Sequence, residues 1–471
     1  MEKKITLIIA VEFFCLLLLP CFHGGLVGAF GTDDKTEEWG YVEVRAKAHM
    51  FWWLYRSPYR IQNSTAPWPI VLWLQGGPGA SGVGIGNFQE IGPLDADLKP
   101  RNSTWLRKAD LLFVDSPVGT GYSYVEDKKS TVKTDEEAAT DLTTLLITLF
   151  NSTESLQRSP LYIVAESYGG KHAVTLGLSV YDAIKAKKLK ATLGGVALGD
   201  SWISPEDFVL SWGPLLKDVS RLDLQAAEEA KRMAAEIRET IGRGQYIDAV
   251  NMWSALETFI TSYSNNVNFY NFLLDSDNDI LSMTATALET ASIKRYRRYL
   301  EENHGSLSDL MDTVVRKKLR IIPKNIQWGG QSDVVFNSLS GDFMKPRVNE
   351  VDELLRRGVQ VTVYNGQLDL ICSTKGAEAW VQKLKWTGLK NFTRSRRTPL
   401  YCGQAGTKGF YKSYQNLHFY WILGAGHFVR TTSSMLHIIF QYLYCFYGTI
   451  RATLHGTEDD WEHYSFSCFM K

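Results

Sequence analysis

One pentapeptide, Glu166-Ser167-Tyr168-Gly169-Gly170, restricts the possible folds of this chain more than any other segment. It directly follows the apolar run Leu161-Tyr162-Ile163-Val164-Ala165, which predicts a buried strand. A strand followed by a Ser and a pair of Gly residues is typical of a nucleophile elbow, a sharp turn that lifts a Ser hydroxyl above the edge of a sheet. Ala165 stands where such turns usually carry Gly, and it is small enough for the turn to close. An ordinary strand-to-helix turn that contains a Ser is the alternative.

Two later segments offer an acid and an imidazole, each just past a predicted strand. The β-rich run 360–364 leads to Asp369, and the run 417–423 leads to His427. Taken alone, each residue is equally consistent with an ordinary loop residue. Together with Ser167 they give the chain order Ser, Asp, His, which is the order of the α/β-hydrolase fold. Open α/β sheets place their sites at the carboxyl ends of the strands, so we expect these three side chains to meet.

A glycine-rich loop follows another predicted strand, Ile70-Val71-Leu72-Trp73-Leu74. The loop reads Gln75-Gly76-Gly77-Pro78-Gly79-Ala80-Ser81-Gly82, and its glycines allow backbone N–H groups to face a ligand. Donors fixed in this way suit an oxyanion hole. A phosphate-binding loop is the alternative, but the loop contains no Lys and lacks the corresponding motif.

Five motifs in this order resemble the serine carboxypeptidases, including the retinoid-inducible type and its plant serine carboxypeptidase-like relatives. The resemblance runs from about Trp39 to Val429. The motifs are Trp73-Leu74-Gln75-Gly76-Gly77-Pro78-Gly79, Val114-Asp115-Ser116-Pro117-Val118-Gly119-Thr120-Gly121-Tyr122-Ser123, Ala165-Glu166-Ser167-Tyr168-Gly169-Gly170, Tyr364-Asn365-Gly366-Gln367-Leu368-Asp369 and Gly424-Ala425-Gly426-His427.

The resemblance implies a role for each matched residue. Ser167 matches the nucleophile, Asp369 the orienting acid and His427 the general base. The backbone N–H groups of Gly77 and Tyr168 match the oxyanion hole. A further group matches the residues that hold the C-terminal carboxylate of the substrate, namely Trp73, Gln75, Gly76, Glu90 and Glu166. The family usually carries Asn where this chain has Gln75.

The alternation of strand and helix patterns predicts an α/β-hydrolase fold, with a mainly parallel central sheet and helices on both faces. The predicted strands are 38–44, 50–55, 70–74, 111–114, 161–164, 196–198, 359–364 and 417–422. A helix is predicted over 134–150, because Thr134 and Glu137 form a capping box ahead of apolar residues at helical spacing.

The chain divides into five predicted regions. Residues 1–29 are a signal peptide, 30–203 and 347–429 are the two parts of the hydrolase core, and 430–471 form a divergent tail. Residues 204–346 are predicted as a helical insertion over the catalytic edge, with helices at 226–241, 246–263, 293–302 and 307–319. A separate helical domain with no part in the site is the alternative.

The N-terminal segment predicts entry into the secretory pathway, and a secreted or vacuolar protein. Lys3 and Lys4 precede an apolar stretch, and small residues follow, with cleavage expected near Gly28 or Ala29. Four glycosylation sequons agree with that route, at Asn63, Asn102, Asn151 and Asn391. Of the cysteines that remain, Cys372 is either a buried thiol or half of a bridge to Cys402.

Charge and motifs narrow the function. The chain has 51 basic and 51 acidic residues, so no strong field exists to attract nucleic acid or an anionic membrane. There is no His-Glu-x-x-His helix and no paired-Cys zinc spacing, so we expect no metal and no cofactor. The resemblance implies a serine carboxypeptidase that acts on the C-termini of peptides or proteins. Two alternatives stay open: an acyltransferase with the same triad, and an impaired homologue in which the divergent tail displaces His427.

Overall fold

The structure is a computed structural model that describes residues 26–60, 67–276, 307–401 and 406–429. Several sequence predictions lie outside these ranges: most of the signal peptide, Asn63, the helix at 293–302, Cys402 and the tail 430–471. The predicted cleavage position near Gly28 falls within the first strand, Leu26–Gly31.

In the described part of the chain, twelve strands form a single sheet. The strands are β1 Leu26–Gly31, β2 Glu37–Arg45, β3 Ala48–Tyr55, β4 Ile70–Leu74, β5 Asp110–Val114, β6 Tyr124–Val125, β7 Pro160–Glu166, β8 Thr192–Gly199, β9 Val361–Gly366, β10 Thr398–Tyr401, β11 Thr407–Tyr414 and β12 Leu417–Ile422. Along the sheet they run β1-β2-β3-β5-β4-β7-β8-β9-β12-β11-β10, with β6 paired to β3. All the strands that the sequence predicts are present.

The centre of the sheet is parallel and its edges are antiparallel. Strands β5, β4, β7, β8, β9 and β12 pair in parallel, and their carboxyl ends lie at one edge. Antiparallel hairpins extend the sheet on both sides. Strands β4 and β7 are buried throughout, which explains their continuous apolar sequences, because parallel strands are covered on both faces.

Helices cover both faces of the sheet. They are α1 Asp135–Ser152, α2 Glu154–Gln157, α3 Gly169–Lys185, α4 Pro205–Asp218, α5 Leu224–Gly242, α6 Tyr246–Tyr263, α7 Leu307–Leu310, α8 Arg316–Leu319, α9 Asp333–Ser338, α10 Ser340–Phe343, α11 Val348–Arg356, α12 Thr374–Val381 and α13 Leu389–Arg394. Two π-helical segments, Gly82–Ile91 and Met311–Val315, and two 3₁₀ turns, Trp105–Arg107 and Lys128–Ser130, complete them.

Alternate side chains of each central strand enter opposite cores. In β4, Leu72 packs with α1 and α3, whereas Trp73 packs with the π-helix on the other face. This alternation follows from the two-residue period of a strand. Helix α1 begins as the sequence predicts, because the Thr134 hydroxyl accepts the N–H of Glu137 at 3.2 Å. Within the described ranges, no helix combines the length and the apolar character needed to cross a bilayer.

The helices predicted at 226–241 and 246–263 are α5 and α6, and the one at 307–319 is a continuous run of α7, a π-turn and α8. Aromatic rings join this insertion to the core below it. Trp253 of α6 lies 4.7 Å from Phe343 of α10, and both rings contact Trp202, which follows β8. Helix α6 therefore packs beside Trp202, just past the carboxyl end of β8.

A buried group of charges fastens the end of the insertion to the core. Arg347 is almost fully buried, and its guanidinium donates to Asp135 at 2.9 Å and to Asp342 at 2.7 Å. Burial alone would raise the pKa of Asp135, but Lys171, His172 and Arg347 outweigh it and hold the pKa below its ordinary value. Asp135 also accepts the hydroxyl of Tyr168 at 2.8 Å, so the group reaches the turn after Ser167.

We predict that Arg347→Met lowers the free energy of unfolding by about 3–5 kcal/mol, because it removes the guanidinium that donates to two buried carboxylates, Asp135 and Asp342. Thermal unfolding should show a melting temperature several degrees lower. Arg232→Met is the matched control, since Arg232 pairs with Glu229 and Glu236 on an exposed helix surface and such pairs contribute little. Equal effects of the two substitutions would contradict the assignment.

Candidate active site

The turn that carries Ser167 is strained and tightly held. Strand β7 ends at Glu166, helix α3 begins at Gly169, and Ser167 between them has a φ of 58°. A non-glycine residue in this left-handed region costs energy and persists only where its surroundings fix it. The Ser167 N–H donates to Gly199 at 3.1 Å, and its carbonyl accepts the N–H of Trp202 at 2.9 Å. These bonds hold the side chain at the carboxyl edge of the sheet.

The structure brings Asp369 and His427 together, as the sequence predicts. They follow the adjacent parallel strands β9 and β12, and His427 Nδ1 lies 2.8 Å from Asp369 Oδ2. Both side chains are 0 % exposed. Asp369 Oδ1 accepts the backbone N–H of Cys372 at 3.2 Å, and the backbone N–H of His427 donates to the Tyr270 carbonyl at 2.8 Å. His427 is therefore held by its ring, through Asp369, and by its backbone, through Tyr270.

This geometry assigns the tautomer of His427. A carboxylate accepts hydrogen bonds, so Nδ1 carries the proton and Nε2 keeps its lone pair. Nε2 is buried and has no hydrogen-bond partner within the described residues. It makes no hydrogen bond to Ser167 in this structure. Tyr270 and Cys372 line the same cleft as Ser167, and the Tyr270 ring lies 5.4 Å from the imidazole, so His427 lies next to a residue that lines this cleft.

Asp369, Cys372 and His427 place one oxygen, sulfur or nitrogen atom each within 4.8 Å of one another. We interpret this cluster as an acid–base group rather than a metal centre, because the imidazole and the carboxylate already bond each other. Cys372 is a free buried thiol, so of the two alternatives for this residue the bridge to Cys402 is wrong.

The two N–H groups expected to form an oxyanion hole flank Ser167. Gly77 and Tyr168 line the cleft beside it, and neither N–H has a protein acceptor within the described residues. Gly77 has a φ of 106°, and a Cβ there would lie 2.7 Å from the side-chain oxygen of Gln331. Position 77 therefore requires glycine, because a side chain fits neither this backbone conformation nor the space beside Gln331.

The predicted carboxylate-binding residues form a connected buried group. Trp73 Nε1 donates to Gln75 Oε1 at 2.7 Å, and Gln75 Nε2 donates to Glu166 Oε1 at 3.0 Å. Glu166 in turn hydrogen-bonds Glu90, which lies on the π-helix Gly82–Ile91. Gln75, Glu90 and Glu166 are each at most 3 % exposed. The longer Gln75 side chain thus reaches both neighbours.

Two carboxyl groups in contact without a buried cation must share a proton. Burial raises the pKa of Glu166 well above its ordinary value, and the charge and hydrogen bond of Glu90 raise it further. The hydrogen bond from Gln75 opposes this shift without cancelling it. The pair therefore offers a neutral acid, which can donate a hydrogen bond to an anionic ligand.

Several residues around the site were not predicted from the sequence. The cleft beside Ser167 is lined mainly by aromatic rings and one carboxylate, from Trp202, Trp253, Glu257, Tyr270, Phe336 and Phe343. Most of them lie on the insertion, where helical periodicity does not reveal which turn faces the site. Asp200 was also missed, although its position directly after β8 matches that of Ser167 after β7.

Three of the four predicted glycosylation sites lie within the described residues. Asn102, Asn151 and Asn391 are all exposed, as a sequon requires. The Asn151 amide donates to the Lys188 carbonyl at 2.8 Å and accepts the N–H of Lys190 at 2.9 Å. Modification of these residues stays a prediction.

Comparison with known proteins identifies the family of this chain. Residues 29–443 match the family model for serine carboxypeptidases. Serine carboxypeptidase-like 51 of Arabidopsis thaliana is 61% identical over 439 residues, which cover 90% of this chain and 95% of the relative. Retinoid-inducible serine carboxypeptidase of Homo sapiens is 47% identical over 424 residues, covering 88% and 93%.

A solved structure confirms the α/β-hydrolase fold. Kex1(delta)p, a prohormone-processing carboxypeptidase from Saccharomyces cerevisiae, superposes with a TM-score of 0.71 at 21% identity, over 88% of this chain and 91% of that one. The chain belongs to the serine carboxypeptidase family and is a serine-type carboxypeptidase, a hydrolase.

We predict that Gly76→Ala reduces kcat/KM at least ~100-fold, the scale of losing one oxyanion donor. The added Cβ would lie 2.6 Å from Ser167 Cβ and 2.9 Å from the Tyr168 nitrogen, so it displaces the nucleophile and the donor together. Ester hydrolysis measures the effect. Gly341→Ala is the control, because a Cβ on that helical glycine meets no atom within 4 Å. Normal activity of Gly76→Ala would show that the loop does not form the oxyanion hole.

Proposed function

We propose that this serine carboxypeptidase removes the C-terminal residue of peptides or proteins through Ser167, Asp369 and His427, with an acyl-enzyme intermediate. The observation that carries the proposal is the 2.8 Å bond between His427 Nδ1 and Asp369 Oδ2, which leaves Nε2 unbonded at the edge that presents Ser167. Family membership and the order of the motifs support it.

The proposed chemistry begins with a proton transfer. His427 Nε2 accepts the hydroxyl proton of Ser167 while Oγ attacks the last peptide carbonyl. Asp369 holds the imidazole in the required tautomer and stabilises the imidazolium that forms. The N–H groups of Gly77 and Tyr168 stabilise the tetrahedral oxyanion, each donor contributing ~3 kcal/mol.

The imidazolium then protonates the leaving amine, which departs as the C-terminal residue, and an ester joins the remaining acyl group to Ser167. Water attacks this ester with His427 again as base, and the enzyme returns to its starting state. Because Ser167 and His427 are not bonded in this structure, substrate binding must bring them into contact, as is common for catalytic hydrogen bonds in unliganded enzymes.

In this proposal, the free C-terminus of the substrate binds to the group formed by Trp73, Gln75, Glu90 and Glu166. A substrate carboxylate would be repelled by ionised Glu side chains but accepts a hydrogen bond from a protonated one. Gly76 lies between this group and Ser167, so a carboxylate held there places the adjacent peptide bond near the nucleophile. This position explains a preference for the last peptide bond.

The alternatives differ in how the geometry supports them. A His427 displaced by the divergent tail would not keep its bond to Asp369, so the observed contact speaks against the impaired homologue. An acyltransferase would use the same three residues, and it is distinguished by its products. The secretory route and the secreted or vacuolar location stay predictions, resting on the N-terminal segment and the sequons.

We predict that Ser167→Ala abolishes release of C-terminal residues, while the melting temperature stays unchanged because little packing is lost. Asp369→Asn should lower kcat by about 10⁴-fold, since the amide favours the wrong tautomer of His427. Turnover of a short peptide, followed by chromatography of the released amino acid, measures both. If Asp369→Asn works nearly as well as the native enzyme, Asp369 is not the orienting acid.

We predict that kcat/KM for a peptide with a free C-terminus falls as the pH rises through the raised pKa of Glu166. The protonated form of that carboxyl binds the substrate carboxylate, and this form is lost above its pKa. The same peptide with an amidated terminus needs no such bond, so its profile should extend to higher pH and be limited on the acid side by His427. Superimposable profiles would refute this mode of binding and favour the acyltransferase.

A further inference from the structure

Asp200 is a buried carboxyl group that the proposed chemistry does not use. It directly follows strand β8, between the neighbouring strands that carry Ser167 and Asp369. Its side chain is 0 % exposed. Its φ of 40° lies in the left-handed region, and its N–H donates to the Tyr364 carbonyl at 2.9 Å. A strained, fully buried acid at the catalytic edge needs a reason.

The two oxygens of Asp200 have different surroundings. Oδ1 accepts the N–H of Gly366 at 2.8 Å and the side-chain amide of Asn365 at 3.2 Å. Oδ2 receives no N–H or O–H donor from any residue in the described ranges. The carboxyl group of Asp369 lies within hydrogen-bonding distance of this acid. Of the four carboxyl oxygens of Asp200 and Asp369, Oδ2 of Asp200 is therefore the one to which no N–H group of the described residues donates.

Asp369 is supplied with donors in a different way. One of its oxygens accepts the N–H of Cys372 and the other the Nδ1 proton of His427. Each oxygen of Asp369 therefore already accepts a hydrogen bond, which leaves no free position for a proton. Two buried carboxyl groups in contact cannot both be ionised, so the proton they share belongs on Asp200.

The wider surroundings agree with a neutral Asp200. Burial raises the pKa of Asp200 well above its ordinary value, and the charge of Asp369 raises it further. Three other titratable side chains interact electrostatically with Asp200, namely Glu166, Tyr364 and Cys372. All three are buried, and none of them is a cation. The imidazole of His427 bonds Asp369 rather than Asp200.

We propose that Asp200 is a positioning residue of the triad: a protonated acid whose O–H donates to the Asp369 carboxylate and holds it towards His427. The inference rests on the proposed role of Asp369. The chain of bonds then runs from Asp200 O–H to Asp369, and from the imidazole N–H to Asp369. Asp200 touches neither substrate nor nucleophile, and it acts by fixing the carboxylate and moderating its charge.

Asp200→Asn is the direct test, because an amide keeps every bond that a neutral acid makes. Its oxygen can accept from Gly366 and Asn365, its N–H can donate to Asp369, and Asn tolerates left-handed backbone. We expect kcat/KM for an ester substrate to stay within about threefold of the native value. The acid limb of the pH profile, which reports His427, should stay in place.

An ionised Asp200 gives the opposite result. Removing its negative charge by Asp200→Asn would then lower the apparent pKa of the acid limb by about one unit or more, because a buried charge near the imidazole would be lost. That shift overturns the inference. An ester is used because it lacks a terminal carboxylate, so titration of Glu90 and Glu166 does not enter the profile.

Asp200→Ala deletes the donor and separates positioning from simple structural support. Positioning predicts a fall in kcat of about 10–100-fold with little change in KM, and an acid limb displaced to higher pH. A lower melting temperature with normal kcat and an unmoved acid limb would mean that Asp200 only supports the turn at Gly366, and would overturn the inference. If this variant does not fold, the profile of Asp200→Asn decides alone.

The result also separates this inference from the proposed function. If the native enzyme hydrolyses the ester and Ser167→Ala hydrolyses it as well, the triad is disproved and with it the role of Asp200. Hydrolysis that is lost in Ser167→Ala, together with a shifted acid limb in Asp200→Asn, would keep the triad and overturn only the role of Asp200.

Discussion

The left-handed turn at Ser167 is the constraint on which the rest of the site depends. A non-glycine residue stays at a φ of 58° only if its surroundings hold it. Here hydrogen bonds to the backbone of Gly199 and Trp202 hold Ser167. Gly76 must approach so closely that a Cβ would overlap Ser167, and Trp202 must bond the Ser167 carbonyl. The same turn fixes Tyr168, whose hydroxyl ties the start of helix α3 to the buried charges around Asp135. The strained conformation of Ser167 thus requires these particular neighbours.

The second organising feature is a row of buried acids. Glu166, Asp200 and Asp369 lie at or just past the carboxyl ends of the neighbouring strands β7, β8 and β9, and Glu90 lies beside Glu166 on the π-helix. Asp369 raises the pKa of Asp200, and Glu90 and Asp200 raise the pKa of Glu166. No residue in the described part of the chain places a buried cation among these acids, so they cannot all be ionised and protons are shared along the row. One end of this row faces the proposed carboxylate site, and the other end bonds His427. Substrate recognition and catalysis are therefore linked electrostatically.

The sequence predicted the parallel centre of the fold and the residues of the proposed triad, because buried parallel strands are continuous apolar runs and each candidate residue follows one. It missed β1, β6, β10 and β11, which lie outside the parallel centre of the sheet, since their pairing depends on neighbours that a local pattern does not show. Asp200 carried no signal except its place after β8. Whether Cys372 was a thiol or half of a bridge depended on distances in space, and the structure shows a thiol.

The central claim is that Ser167 is a nucleophile activated by His427. Reaction with a fluorophosphonate tests it most directly, because only an activated serine forms the covalent adduct at an appreciable rate. Peptide mass spectrometry of the treated native protein should place one adduct on the peptide that contains Ser167. The rate of its formation should rise with pH as His427 loses its proton. An unmodified Ser167 under conditions in which the folded protein hydrolyses peptides, or an adduct on another serine, would contradict the account.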